Sequence, residues 1–363
     1  MGLAINSTEM RTARPRGRMN WLVRLAAVWL GVLCLISICA EFIAPYGPVE
    51  VVRGYVKGPP QAIHILRPGE IMPTWPYVHG TRLVRDMTTF QQSFQRTERV
   101  FPVQFFVRGS EYRLLGLFET NVHLFGVAGG GTIAILGTDQ LGRDVFSRTL
   151  LATRVSLSVP LAGMLIGVLI GSVLGVVSAY IGGLIDLGLQ RISEVLMAFP
   201  RIPLWMALAT VLPAGMPSYD RYLLITILLA SVGWTELYSQ IRSKTYSLKD
   251  LDFVLAARVS GTSDTAIVLR HLLPNCFSHI IVVATLAVPS LILAESSLSF
   301  LGVGIVPPLV SWGTLLRDAQ DVQSLVFYPW LLVPGVMVAL SVLAFNLCGD
   351  ALRDRLDPNS VVK

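Results

Sequence analysis

Residues 250–275 read DLDFVLAARVSGTSDTAIVLRHLLPN and form a polar island between two apolar runs of membrane-spanning length. Charged side chains are costly in lipid, and they usually mark a surface or a functional site when they occur beside a span. The charged residues of this stretch are Asp250, Asp252, Arg258, Asp264 and Arg270. We therefore expect two short helices, joined by a turn, on a membrane surface.

Local signals place the ends of these helices. Ser247 and Asp250 have the spacing of a capping box, and the apolar residues after them recur at helical spacing. Gly261 suits the left-handed position just past a helix end. Ser263 can cap a second helix, which we expect to end close to Pro274, because proline lacks the N–H that a helix needs. The pattern predicts a small rigid knob that another protein holds.

The same stretch resembles the EAA coupling loop of the membrane subunits of ABC importers, and we call residues 250–275 the coupling segment. The resemblance rests on Ala256, Ala257, Gly261, Leu273 and Pro274. It implies a cytoplasmic loop that sits in a groove of an ATPase subunit and transmits ATP-driven closure. The family's leading Glu is Leu255 here, so the contact would depend more on shape. The implied coupling residues are Phe253, Leu255, Ala256, Ala257, Arg258, Gly261, Asp264, Arg270, His271 and Pro274.

Three further stretches resemble the dipeptide, oligopeptide and nickel branch of these permeases. They are LGTDQLGRDVFSR at 136–148, SLSFLGVGIVPPLVSWG at 297–313 and GDALRDRLDP at 349–358. The first offers turn residues and alternating charges ahead of a spanning helix. A self-paired Asp/Arg cap at the membrane surface is favoured there over direct contact with a solute. Its signature residues are Gly137, Thr138, Asp139, Gly142, Arg143 and Asp144.

Composition indicates a multi-spanning membrane protein. Of 363 residues, 53% are hydrophobic and 14% are charged, whereas soluble domains carry about 25% charged residues. The net charge of +6 is therefore interpreted by position along the chain, and no nucleic-acid partner is expected. The four cysteines lack zinc spacing, so we expect free thiols and no metal site. They are Cys34, Cys39, Cys276 and Cys348.

The first part of the chain divides into three. Residues 1–20 form a basic tail, and 21–43 form an apolar run long enough to cross a bilayer. A cleaved signal peptide is the alternative, but the run is long for one and the residues after it suit cleavage poorly. Residues 44–137 are rich in proline and contain no span, so we expect a water-exposed inserted module with some β-structure. Its widely spaced histidines, which favour surface positions over a metal site, are His64, His79 and His123.

Residues 138–358 are the expected permease core, with spans 2–6 near 155–180, 188–205, 223–240, 277–295 and 330–347, followed by a tail at 359–363. Glycine at every fourth position of span 2 predicts close helix packing. The glycines are Gly163, Gly167, Gly171 and Gly175. Prolines break span 3, and two acidic residues lie near membrane depth. The candidate residues of a solute pathway are Phe199, Pro200, Pro203, Glu236 and Glu295.

Basic residues indicate how the chain is oriented in the membrane. Lys and Arg concentrate in the N-terminal tail, around the coupling segment and at the C-terminus, which predicts that both termini and the coupling segment are cytoplasmic.

The sequence lacks the common catalytic motifs. It contains no phosphate-binding loop, no HExxH and no GxSxG. We therefore expect a non-catalytic chain without a cofactor of its own, with ATP bound by partner subunits.

The resemblance implies an all-α integral membrane protein with six transmembrane helices, the type I ABC importer permease fold, and an inserted extracytoplasmic module between helices 1 and 2. It would lie in the bacterial inner membrane with a second permease, two ATP-binding subunits and an external solute-binding protein. The solute would be a peptide, nickel or an oligosaccharide. Two alternatives remain open at this stage, an ion-coupled secondary transporter and a membrane scaffold, and both would act without an ATPase.

Overall fold

The computed structural model describes residues 21–65, 75–85, 92–114, 116–127, 129–213 and 215–356. The predicted tails at 1–20 and 359–363 lie outside these residues. The strands are β1 (Tyr77–Arg85), β2 (Gln92–Leu114) and β3 (Phe118–Val127). The helices are α1 (Trp21–Ile43), α2 (Val145–Ile181), α3 (Gly183–Ala198), α4 (Arg201–Thr210), α5 (Ser218–Leu248), α6 (Asp252–Val259), α7 (Asp264–Ile267), α8 (Leu273–Phe300), α9 (Trp312–Leu316), α10 (Val322–Phe327) and α11 (Val333–Leu356).

Five helical segments of the described chain are long and apolar enough to cross a membrane. They are α1, α2, α5, the continuous helix Asp264–Phe300, and Pro329–Leu356. The pair α3–α4, bent by 91° at its break, is the sixth if it is counted as one span. The mostly helical fold is therefore confirmed, with five or six candidate spans among the described residues. Most helices extend beyond the predicted apolar runs, because their polar ends continue the helix past the lipid-compatible residues.

Helix α2 lies at the centre of the bundle and packs against α1, α5 and α8. On one side its Val155 and Val159 share a buried core with Leu229 of α5 and Leu291 of α8. On the other side Ala152 and Leu157 join a cluster with residues of α1, α8, α9 and α11. Helix α11 closes the bundle by packing on α8 and α1.

The glycines predicted to mediate packing lie along the contact between α2 and α5. All four are buried. A Cβ atom at Gly171 would stand 2.7 Å from the Trp234 carbonyl oxygen, and one at Gly175 would stand 3.0 Å from that of Tyr238. At Gly163 the nearest atom would be 3.6 Å away, an ordinary contact. The backbones of α2 and α5 therefore approach most closely at the Gly171–Gly175 end.

The inserted module contains a three-stranded antiparallel sheet in the order β1-β2-β3, so the predicted β-structure is confirmed. The long strand β2 pairs with β1 through its first half, up to Pro102, and with β3 through its second half, from Val103. His123 of β3 is buried against the end of α1. Its Nδ1 lies 2.6 Å from the carbonyl oxygen of Ala44. This contact seats the second half of the sheet on the first span.

Candidate functional site

The turn of the coupling segment is built around Gly261. Helix α6 ends in a Schellman motif, in which the N–H of Thr262 donates to the carbonyl of Ala257 at 3.1 Å and the N–H of Gly261 donates to that of Arg258 at 3.0 Å. Gly261 has φ +77°, so the predicted left-handed position is confirmed. The Ser263 side chain then accepts from the N–H of Ala266 and caps α7.

Two predicted helix boundaries in this region are wrong. Ser247 forms no capping box, because α5 continues to Leu248 and the Ser247 hydroxyl donates to the carbonyl of Lys244 within its own helix. The second helix does not end near Pro274. A π-helical turn over Val268–Leu272 precedes the proline, and the N–H of Leu273 donates to the carbonyl of Val268. The wider turn accommodates the proline, so α7 and α8 form one continuous helix.

The inner face of the coupling segment is a small apolar core. Val254 of α6, Ile267 of α7 and Leu272 of the π turn are fully buried. They pack with Cys276 of α8 and with residues of α2 and α5, namely Val176, Leu237 and Ile241. Burying each large aliphatic side chain contributes about 1.5–3 kcal/mol. The coupling segment is therefore fixed to the ends of three spanning helices.

Polar contacts join the coupling segment to α2. Tyr180, near the end of α2, donates from its hydroxyl to Asp264 Oδ1 at 2.5 Å. The guanidinium of Arg258 lies 5.0 Å from the centre of the Tyr180 ring, a cation–π arrangement. The Nζ of Lys249 donates to the carbonyl of Ala179 at 3.2 Å. One tyrosine thus contacts both short helices of the coupling segment.

The outer face of the coupling segment exposes apolar side chains. Val259 is 90% exposed, and Phe253, Leu255 and Leu269 are also exposed. Ala256, Arg258, Gly261, Asp264, Arg270 and Pro274 are exposed as well, whereas Ala257 and His271 are half-buried. The ring centres of Phe253 and His271 are 6.5 Å apart. All ten implied coupling residues therefore lie on one compact knob, and most are available to a partner.

The signature residues 137–144 form a network at the opposite end of the bundle. Asp139 accepts hydrogen bonds from the N–H groups of Leu141 and Arg143, both at 2.9 Å, from Arg143 Nε at 2.7 Å, and from the guanidinium of Arg148. Asp318 lies 3.7 Å from Arg143 and 3.6 Å from Arg148. This is the geometry of a self-paired cap.

Further bonds tie this cap to the inserted module. Thr138 donates from its hydroxyl to the carbonyl of Tyr55, and it accepts from the N–H of Gly58 at 2.8 Å. The N–H of Val52 donates to the carbonyl of Gly142. A Cβ at Gly137, where φ is +70°, would lie 2.6 Å from the carbonyl oxygen of Gly58. The signature therefore joins the base of the module to the start of α2.

Burial makes two carboxyl groups of this cap weaker acids than usual. Asp144 caps α2 by accepting from the N–H of Ser147 at 2.7 Å, while its Oδ1 has no hydrogen-bond partner. Burial raises the pKa of Asp144 to about 6. Burial, assisted by the charge of Asp139, also raises the pKa of Asp318.

The candidate pathway residues do not share one environment. Phe199, Pro200 and Pro203 are exposed at the break between α3 and α4. Glu236 of α5 is half-buried and pairs with Arg201 at 2.7 Å. Glu295 of α8 is completely buried and accepts from the hydroxyl of Ser299. Helix packing thus removes Glu295 from the accessible surface in this conformation, and its place in a solute pathway stays a prediction.

The structure also shows groupings of polar side chains that the sequence did not predict. His64 and His79 are not scattered, since their ring centres lie 5.1 Å apart, and the predicted surface position is wrong for His123, which the sheet buries against the end of α1. The described residues contain no group of three or more potential metal ligands. A polar stripe on α3, formed by Asp186, Gln190 and Ser193, faces α5. These three residues are four and three positions apart, which places them on one face of a helix, and this spacing could have revealed the stripe in the sequence.

More than half of the chain is similar in sequence to known proteins. Residues 167–361 match the family of binding-protein-dependent transport system inner membrane components. The chain is 42% identical over 223 residues to the oligopeptide transport system permease protein OppC of Escherichia coli (strain K12), covering 61% of this chain and 71% of that protein. It is 36% identical over 225 residues to OppC of Bacillus subtilis (strain 168), covering 61% and 70%. It is 36% identical over 233 residues to the nickel transport system permease protein NikC of Escherichia coli (strain K12), covering 63% and 80%.

Proposed function

Because the chain belongs to the family of binding-protein-dependent transport system inner membrane components, we propose that it pairs with a second permease to form the path of an ABC importer for peptide-like solutes. The relatives described above transport oligopeptides or nickel by name. The observation that carries the mechanism is the coupling segment, a rigid knob that exposes apolar side chains. Such a surface suits a groove on another subunit.

ATP-driven movement would enter through the coupling segment. Two ATP-binding subunits close on ATP, and each presses on the knob of one permease. The buried Ile267 and Leu272 fix the knob to α2 and α5, and α7 continues into α8 through the π turn. A displacement of the knob therefore moves three spanning helices together. This alternates the shared path between its two openings. The chain itself performs no catalysis in this scheme and holds no cofactor.

The ends of the molecule have different tasks in this proposal. The coupling segment and both termini lie in the cytoplasm, and the inserted module lies outside the inner membrane. The module exposes Phe105, Phe106 and Phe118, and these side chains would help to dock the solute-binding protein or cover the partner permease. Deletion of the module with the spans retained should impair uptake or assembly. Unchanged transport by the deleted chain would contradict this role.

The direct test is purification of the tagged chain from its native membrane in mild detergent, followed by identification of the bound proteins and by uptake assays in vesicles. We expect an ATPase, a second permease and uptake that requires ATP. Solute movement by the chain alone without ATP would favour an ion-coupled secondary transporter. A stable complex that contains no ATPase would favour a scaffold.

A further inference from the structure

Helix α3 carries a polar stripe on the side toward α5. Asp186, Gln190 and Ser193 follow one another at helical spacing on this side, and Asp186 and Ser193 are buried. Much of the remaining surface of α3 is apolar and exposed, as expected for a helix in lipid or against another subunit, but it also carries the exposed ion pair Arg191–Glu194. Its exposed residues include Leu184, Ile185, Leu187, Ile192 and Val195.

Helix α5 places polar residues opposite this stripe. Between the two helices lies a cleft of about 380 Å³, lined by Gln190, Ser193 and Glu194 from α3 and by Ser239 and Arg242 from α5. Ser193 donates to the carbonyl of Thr235 at 3.4 Å. Ser239 is exposed. Polar side chains therefore line part of the cleft, together with Met197 and Ala198, although both helices belong to segments that can cross a membrane.

Two ion pairs accompany the cleft. Arg242, which lines it, donates from Nε and Nη2 to Asp186 at 2.6 and 2.5 Å, and Tyr246 donates to the same carboxylate at 2.7 Å. Outside the lining, Arg201 Nη2 donates to Glu236 at 2.7 Å. The first pair is well buried, but the side chains of Arg201 and Glu236 are 37% and 47% exposed.

The exposure of the second pair has a physical consequence. Glu236 lies within the predicted span 223–240 of helix α5. Ionisable groups at such a depth face a bundle interior or a water-filled cavity, because lipid would impose a large cost. The 91° break between α3 and α4 stands beside Arg201 and exposes irregular backbone, which is also tolerated only next to protein or water. Both features indicate a hydrated surface at this position.

We propose that the polar track between α3 and α5 is one wall of the solute path, and that its Arg201–Glu236 pair selects zwitterionic solutes. These are small molecules with one ammonium and one carboxylate group. The inference rests on the proposed permease function and adds the place and the charge preference of the path.

The selectivity follows from charge balance. A solute carboxylate can take the guanidinium of Arg201 as a bidentate partner, while its ammonium group takes Glu236. When the solute leaves, the two side chains pair again. A solute with a single charge would separate the pair and leave one protein charge without a partner. The track therefore favours a peptide with free termini over a bare metal cation.

Thiol modification tests the track without knowledge of the natural cargo. The whole importer carrying Ser239→Cys is placed in lipid nanodiscs and treated with anionic or cationic methanethiosulfonate, and modification at that position is quantified by peptide mass spectrometry. Ile227→Cys, exposed on an apolar part of the same helix, is the matched control. We expect Ser239→Cys to react at least tenfold faster, because the ionised thiol, which water stabilises, attacks these reagents and displaces their sulfinate group. Equal rates would overturn the hydrated track.

Charge-removing variants test the role of the pair. A unit charge about 6 Å away, the separation of i and i+3 positions on a helix, changes the local concentration of a monovalent ion about threefold in water. Glu236→Gln should therefore raise the anionic-to-cationic rate ratio at Ser239→Cys roughly tenfold. Arg201→Gln should lower this ratio. Arg113→Gln, which breaks an exposed ion pair in the inserted module, should change nothing. Ratios unaffected by either track variant would refute the assignment of the pair.

A competition experiment tests the charge preference. Millimolar glycylglycine should slow the modification of Ser239→Cys, whereas the neutral N-acetylglycinamide should not. Equal protection by both, or by neither, would overturn selection of zwitterions. ATP-driven uptake by the unmodified complex in vesicles is measured in parallel, so that failure of the proposed function and failure of this inference are distinguished.

Discussion

Substitution of Gly261 should uncouple ATP hydrolysis from transport through backbone strain alone. The residue adopts φ +77°, and a Cβ atom built there meets no atom within 4 Å. Steric clash within the chain is therefore absent, and the cost is that of a left-handed conformation, about 1–2 kcal/mol for an L-residue. That strain acts on the two Schellman hydrogen bonds that end α6, at 3.0 and 3.1 Å.

The energetic cost sets the size of the effect. A difference of about 1–2 kcal/mol changes the population of the native turn relative to a rearranged one by a factor of roughly 5–30. The apolar core beneath the turn should remain folded, because it buries several large side chains. We therefore expect Gly261→Val to lower the number of solute molecules imported per ATP by a factor of up to roughly 5–30, while the complex still assembles and hydrolyses ATP.

Uptake and phosphate release are measured together in vesicles that contain the complete importer. Gly261→Asn is the matched control, since asparagine tolerates the left-handed region, and it should retain most of the coupling. Normal coupling in Gly261→Val would refute the argument. Equal loss in both variants would refute it too, because it would show that the added side chain obstructs the ATPase directly.

Three other substitutions test separate features. Burial raises the pKa of Asp144 from 3.8 to about 6, so the folded state binds this proton more tightly than the unfolded state does. The free energy of unfolding therefore falls as the pH rises through about 6. Asp144→Asn should remove about 3 kcal/mol of this pH dependence, which is measured as the thermal midpoint between about pH 4 and 7. Gly171→Leu should lower the thermal midpoint by overpacking against Trp234, at a cost of about 1–3 kcal/mol, whereas Gly163→Ala should be nearly neutral. Tyr180→Phe should remove two hydrogen bonds, the one donated to Asp264 and the longer one accepted from Arg258, each worth about 0.5–1.5 kcal/mol, and should reduce coupling severalfold. Tyr180→Ala also removes the cation–π contact and should reduce coupling further.

Each of these expectations has a contradicting result. An Asp144→Asn midpoint with the pH dependence of the unmodified protein would show that another carboxyl group dominates. A Gly171→Leu complex as stable as Gly163→Ala would mean that α2 and α5 can separate at little cost. Full coupling in Tyr180→Ala would show that the apolar core alone holds the coupling segment.

Sequence patterns located the spans and the turn because these depend on local chemistry. Length and hydropathy determine whether a run can cross a bilayer, and the left-handed turn at Gly261 requires little beyond a residue without a side chain. The cap at Ser263 is equally local. Such features carry their own signal in the few residues that form them.

The features that escaped prediction depend on contacts between distant residues. Nothing near Pro274 announces a π turn, which is formed where Ile267 and Leu272 pack against other helices. The approach of His64 to His79 depends on a bridge between His64 and Tyr77 that the sequence does not encode locally. Glu295 is polar and close to membrane depth, yet packing buries it completely. Tertiary packing decides each of these cases.

The orientation of the coupling segment relative to α8 depends on the number of residues in the π turn between them. A π turn holds one more residue than the α-helical turn it replaces, and one residue corresponds to about 100° of rotation about a helix axis. Deletion of a single residue within Val268–Leu272 would therefore rotate α7 and the Gly261 turn by roughly a quarter of a circle relative to α8. Among permeases of this kind, deletion of one residue at this place would turn the knob toward a differently shaped ATPase groove without altering any residue inside the membrane.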